Sequence, residues 1–207
     1  MFKILISILL SLIFSLGSLS QEEKTSYFGI NIPPLFGTTL ELGYELNIKS
    51  NLSLDVYGGY TFNNELESKC FEENEKLKVN KMSGGFFKLG VRYNWRKNLN
   101  RFAPFIGVNL VNSISIEEGT QEIGGFINNE PTISLEQVVS NRYNLGISGI
   151  IGITSNSTKK INLDFGVQFG RLIVNNLLSC KSYMPGMGIV YNENRIQGVF
   201  RIKYRIN

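Results

Sequence analysis

Histidine is missing from this chain altogether. Histidine-based dyads and triads for acyl transfer or proteolysis are therefore closed to it, and any metal site would lack its commonest ligand. Cysteine occurs only at Cys70 and Cys180, too few for a disulfide-knit scaffold. Neither lies near the leader, which argues against a lipid-anchored start. Beyond the first twenty residues no apolar run approaches the roughly 20 residues that a membrane-spanning helix needs. No Lys/Arg cluster is dense enough to serve as a nucleic-acid footprint. Phosphate-loop and dinucleotide glycine motifs are absent too; Gly58-Gly59, Gly84-Gly85 and Gly124-Gly125 suit strand curvature or turns. No internal repeat, low-complexity tract or linker divides the chain. These absences leave catalysis without obvious means and predict neither cofactor nor metal; acids such as Asp55 and Asp164 are more simply lumen-neutralising groups.

What is present begins with an address. Met1-Phe2-Lys3 is a short positive start, residues 4–16 are almost unbroken Ile, Leu and Phe with serines, and Gly17-Ser18-Leu19-Ser20 supplies small residues suited to cleavage. Residues 1–20 thus read as a cleavable secretory signal peptide, and residues 21–207 as one domain. Loss of Lys3 with the leader lowers the formal charge from +4 to +3. In an exported chain a lone cysteine pair favours a disulfide between Cys70 and Cys180.

The body of the chain alternates with period two. Residues 195–206 show it most clearly: Ile196, Gly198, Phe200, Ile202, Tyr204 and Ile206 alternate with Gln197, Val199, Arg201, Lys203 and Arg205. Similar patterns cover 26–32, 38–48, 52–62, 82–96, 102–116, 143–154 and 161–175. That makes eight strands, joined alternately by short turns (49–51, 97–101, 155–160) and by longer connections (63–81, 117–142, 176–194). Pro33-Pro34 interrupts the first pair. Even strand number with alternating loop length is the pattern of an antiparallel up-and-down transmembrane β-barrel, short turns on the periplasmic side. Both barrel termini then fall in the periplasm of a bacterial outer membrane.

Magnitude decides which face meets lipid. A Lys or Arg exposed at mid-bilayer costs roughly 2–4 kcal/mol, and the polar faces carry Glu41, Glu45, Asp55, Lys88, Arg92, Arg96, Asp164, Arg201, Lys203 and Arg205. These charges must point inward, where an eight-stranded barrel has room for side chains and little else, and are expected to pair as a lumen network. The apolar faces carry two aromatic girdles: Tyr44, Tyr93, Trp95, Phe102 and Tyr204 near the periplasmic ends, Tyr60, Phe62 and Tyr143 near the opposite rim. A soluble secreted β-barrel binding a small ligand would show the same alternation with the faces reversed.

At Gly43-Tyr44-Glu45, Leu52-Ser53-Leu54 and Gly58-Gly59-Tyr60 the chain resembles the opening hairpin of the small eight-stranded outer-membrane barrels, OmpA/OmpX-like in the broad sense. The likeness covers essentially the whole mature chain. It implies the barrel fold, but no second domain follows to carry the peptidoglycan binding of longer relatives. The chain also ends Tyr204-Arg205-Ile206-Asn207, whereas such barrels often finish on an aromatic residue. The expected role is structural or interactive, through loops 63–81, 117–142 and 176–194. The expected contacts are membrane lipids including lipopolysaccharide and a surface or outer-membrane protein. A narrow pore is the alternative. Acids Glu65, Glu67, Glu72, Glu73 and Glu75 around Cys70 read as solvated loop groups rather than an ion site.

Overall fold

In the computed structural model the strands form one sheet that closes on itself. The structure describes residues 25–64, 68–72, 75–95, 102–127, 130–156, 160–175, 184–191 and 194–206. The strands are β1 (Ser26–Asn31), β2 (Thr39–Lys49), β3 (Leu52–Asn64), β4 (Ser68–Glu72), β5 (Glu75–Asn94), β6 (Phe102–Ile127), β7 (Glu130–Asn156), β8 (Ile161–Asn175), β9 (Ile189–Tyr191) and β10 (Asn194–Arg205). The sheet order is β1-β2-β3-β5-β6-β7-β8-β10, and β10 returns to pair with β1. Every pairing is antiparallel. The result is a closed eight-stranded up-and-down barrel without a free edge through its body, the arrangement that satisfies every strand's backbone within the fold. The two short strands are additions: β4 pairs with the start of β5 and β9 with the start of β10.

Closure is direct. Phe28 sits opposite Tyr204, Ile30 opposite Ile202 and Asn31 opposite Arg201. The Ile32 amide donates to the Phe200 carbonyl at 2.8 Å. Pro33–Gly37, where two prolines cannot continue the ladder, forms a 3-10 turn before β2.

The barrel is inside-out relative to a water-soluble fold. Along β10 exposure alternates residue by residue, with Arg201 and Lys203 buried and Ile202 and Tyr204 exposed. The buried set is rich in Asn, Ser, Thr and charged residues, whereas the exposed set includes Phe28, Leu42, Phe87, Val91, Val108, Leu110, Ile147, Ile151, Phe165 and Phe169. The expected girdle residues Tyr44, Tyr60, Phe62, Tyr93, Trp95, Phe102, Tyr143 and Tyr204 all lie on this outer surface. Register sets Tyr204, Phe28 and Tyr44 side by side across β10, β1 and β2. Tyr93 stacks edge-on to Trp95 at 5.2 Å, and Tyr60 packs on Phe62 at 4.8 Å.

One expectation fails in the connections. Residues 117–127 and 130–142 are strand rather than loop. The β6–β7 ladder runs unbroken from Phe102↔Ser155 to Ile127↔Glu130. The start of β5 joins it through Lys76↔Glu122, and β4 extends it by one more strand. A small sheet, β4-β5-β6-β7, therefore stands beyond the barrel at the end away from the short turns. Gly124-Gly125 and Pro131 look like breakers in sequence, but Pro131 lies opposite Phe126, one rung from the ladder's end. A proline there interrupts little. Connection 63–81 likewise consists partly of β3, β4 and β5.

Candidate functional site

Inward-facing positions of eight strands converge on the lumen, and period-two alternation delivers their polar side chains there. Of the ten charged residues expected inside, eight are buried: the acids Glu41, Glu45, Asp55 and Asp164 and the bases Lys88, Arg92, Arg201 and Lys203. Four negative and four positive charges cancel, which is the condition for burying charge without a large penalty. Arg205 departs from expectation. It is half-buried at the rim, where its amide donates to the Lys160 carbonyl, because β10 has there reached the end of the barrel. Arg96 lies outside the described residues. The same holds for the Cys70–Cys180 bridge, since Cys180 and the Cys70 side chain are not described, and for residues 1–20.

Toward the short-turn end, Arg92 is the hub. Its Nη1 lies 2.5 Å from Asp164 Oδ2 and 3.4 Å from Glu45 Oε2. Its Nε donates to Asn94 Oδ1 at 2.9 Å, and Nη2 donates to Thr154. Thr154 in turn donates to Asp164 Oδ1 at 2.8 Å. Lys203 Nζ bridges the same two acids, 2.7 Å from Glu45 and 3.0 Å from Asp164. The Arg92 guanidinium also lies over the Phe105 ring at 3.6 Å, a buried cation–π contact.

A second cluster lies higher. Lys88 Nζ reaches Glu41 Oε1 at 2.9 Å and donates to Gln168 Oε1 and Gln197 Oε1 at 3.2 and 3.3 Å. Gln197 Nε2 closes the ring onto Glu41 Oε2 at 3.1 Å. Between the clusters, Arg201 lies 3.9 Å from Asp55 Oδ2 and 4.0 Å over the Tyr57 ring. A third group sits toward the far end, where Arg142 Nη2 lies 3.1 Å from Glu117 Oε2 and the buried Arg195 is within electrostatic reach of Glu117.

Sequence reasoning passed over Glu117, Arg142 and Arg195 as site residues. The signal existed: Ser113, Ser115 and Glu117 continue the inward parity of β6, and Arg142 precedes Asn144 on the inward parity of β7. Gln168, Gln197 and Tyr57 lie on the inward parity of β8, β10 and β3.

The feature with no periodic signal is a turn inserted into the far mouth of the lumen. Met184 and Gly188 form a bridge, with the Gly188 and Met187 amides donating to the Met184 carbonyl at 3.0 Å. Met184 and Met187 are buried against Val111. The sheet makes room by omission: a Cβ at Gly146 would lie 2.6 Å from Met187 Sδ. Gly186 and Gly188 adopt φ of 79° and 88°, which side-chain-bearing residues seldom reach. Gln168 Nε2 donates to the Gly186 carbonyl at 3.0 Å, tying the turn to the Lys88 cluster beneath it. Ion pairs thus occupy the lumen below and the methionine turn lies above them.

Among the described residues no group of acids and cysteines is placed to hold a metal ion, and no helix is long and apolar enough to cross a membrane. The chain is similar to the crystal structure of Neisserial surface protein A, at 11% identity and a TM-score of 0.47, over 87% of this chain and 93% of that one. It is also similar to the N-terminal β-barrel domain of Pseudomonas aeruginosa OprF, at 9% identity and a TM-score of 0.44, over 88% of this chain and 96% of that one. No family model matches the sequence, and no curated protein does.

Proposed function

We propose that this chain is an outer-membrane anchor: a barrel with a sealed, charge-filled lumen that holds the β4-β5-β6-β7 sheet outside the cell. The observation that carries this reading is the inversion of the barrel. Oily side chains face outward around the whole circumference, and charged side chains of both signs are buried inside, eight of them in mutually neutralising clusters. In water that outer surface would be an aggregation liability far beyond the few hundred Å² a monomer normally shows. In hydrocarbon it is the required surface. The short connections and both barrel termini are then periplasmic, and the outer girdle lies at lipopolysaccharide depth. A surface protein or lipid headgroup is the class of partner.

The role is interaction rather than catalysis or conduction. Arg92, Lys88 and Arg201 are spent on neighbouring acids and rings, and Met184 and Met187 pack on Val111 above them. Two experiments test the reading. Mature protein in outer-membrane fractions should migrate differently on detergent gels before and after boiling; an unchanged band in a soluble fraction would refute the barrel. In planar bilayers it should give no discrete conductance, whereas regular single-channel steps would assign it to pores.

A further inference from the structure

We propose that the β7 segment 134–140 pairs antiparallel with the same segment of a second copy seated in an opposing membrane. This rests on the membrane-anchor reading and adds a partner to it. Above Tyr143, β7 is bonded to β6 on one side, while β8 joins its other side only from Asn144. Among the described residues no strand covers that edge, and Leu135 and Val139 are 71% and 68% exposed. Leu135 lies eight residues beyond the Tyr143 girdle position, roughly 27 Å along an extended strand. Val139 lies four residues beyond it, roughly 13 Å, so both stand outside the girdle. Water-exposed aliphatic residues on an unpaired edge mark a site of strand addition.

The segment itself names the occupant. Ser134-Leu135-Glu136-Gln137-Val138-Val139-Ser140 matches its own reverse by side-chain class at every position except Glu136 and Val138. A two-fold axis through Gln137 sets Ser134 opposite Ser140, Leu135 opposite Val139, and Gln137 opposite itself. Its one charge, Glu136, faces Val138, so no like charges meet. Self-complementarity of this kind is what an isologous contact requires. The edge also lacks the lysines and prolines with which natural proteins usually blunt such strands.

Direction fixes where the second copy sits. Two copies inserted alike in one membrane both run β7 from outside inward, so their edges cannot be antiparallel. Copies on facing membranes can. Seven residues a side is well short of the roughly 20–30 of a stable interface, so one contact is weak and many must act together between surfaces.

The test uses the full mature chain in phosphatidylcholine vesicles, with the heat-dependent gel shift as proof of insertion. Wild-type vesicles should cluster, raising mean particle size several-fold. Leu135→Lys/Val139→Lys vesicles and Leu135→Glu/Val139→Glu vesicles should each stay dispersed, since the paired positions would carry like charge. The two populations mixed should cluster again. A register check follows in a Cys70→Ser/Cys180→Ser background: Gln137→Cys should give a disulfide-linked dimer between vesicles, and Ser134→Cys should not. Dispersed wild-type vesicles with the gel shift intact would overturn this proposal alone, as would equal crosslinking at both positions. Loss of the gel shift in the wild type would overturn the membrane reading together with it.

Discussion

Arg92 on β5 and Asp164 on β8 meet across the lumen, Nη1 to Oδ2 at 2.5 Å and Nη2 to Oδ1 at 3.3 Å, from strands three places apart around the barrel. Both are buried. The pair is thus an internal brace between β5 and β8, which are not adjacent in the sheet. Asp164→Ala leaves Arg92 short of its principal partner and Lys203 with Glu45 alone. It should lower unfolding stability by about 3–5 kcal/mol, the scale for orphaning a buried charge. Replacing both partners with apolar residues, Arg92→Met with Asp164→Leu, should recover most of that loss. Urea titration of the folded barrel in detergent measures both, and equal losses in the single and double variants would refute the brace.

The methionine latch makes a separate prediction. Met187→Ala removes a side chain packed on Val111 and the Gly146 backbone, and should cost about 2–5 kcal/mol. Met187→Leu conserves volume and should cost less than about 1.5 kcal/mol. Ile189, two residues away and 57% exposed, should tolerate alanine within about 0.5 kcal/mol. If Met187→Ala proved as silent as Ile189→Ala, the turn would lie outside the lumen.

The outer surface can be probed one charge at a time. Ile151 faces outward opposite Ile106 in the middle of the belt. Ile151→Lys should destabilise the lipid-inserted barrel by roughly 2–4 kcal/mol. Glu118, which points outward on the β6 extension opposite Val139, should accept lysine with little effect. Refolding into vesicles, followed by urea titration, compares them. Equal tolerance at both sites would mean water on both.

Much of this fold is written in the alternation, because a closed barrel must keep one face oily and one polar along every spanning strand. Phe105, Asn109, Ser148 and Asp164 fall inside by parity alone. Legibility stops where lipid stops. Over 120–127 and 130–140 the strands have left the barrel, so nothing forces alternation; glycines and a proline then read as loop although the ladder continues. The latch was hidden for a different reason. Met184 to Gly188 is a turn held by space left at Gly146 and Gly170 and by Gln168, contacts that no local pattern records. Arg205 was misplaced because parity gives a face but not a depth.

Trp95 is the chain's one tryptophan, and it lies half-exposed on the outer face beside Tyr93. Its fluorescence reports directly on what wets that face. In vesicles, phospholipids brominated high on their acyl chains should quench Trp95 strongly, those brominated near the chain ends should quench it less, and aqueous iodide should scarcely affect it. Strong iodide quenching with no response to brominated lipid would place the oily surface in water and contradict the membrane barrel.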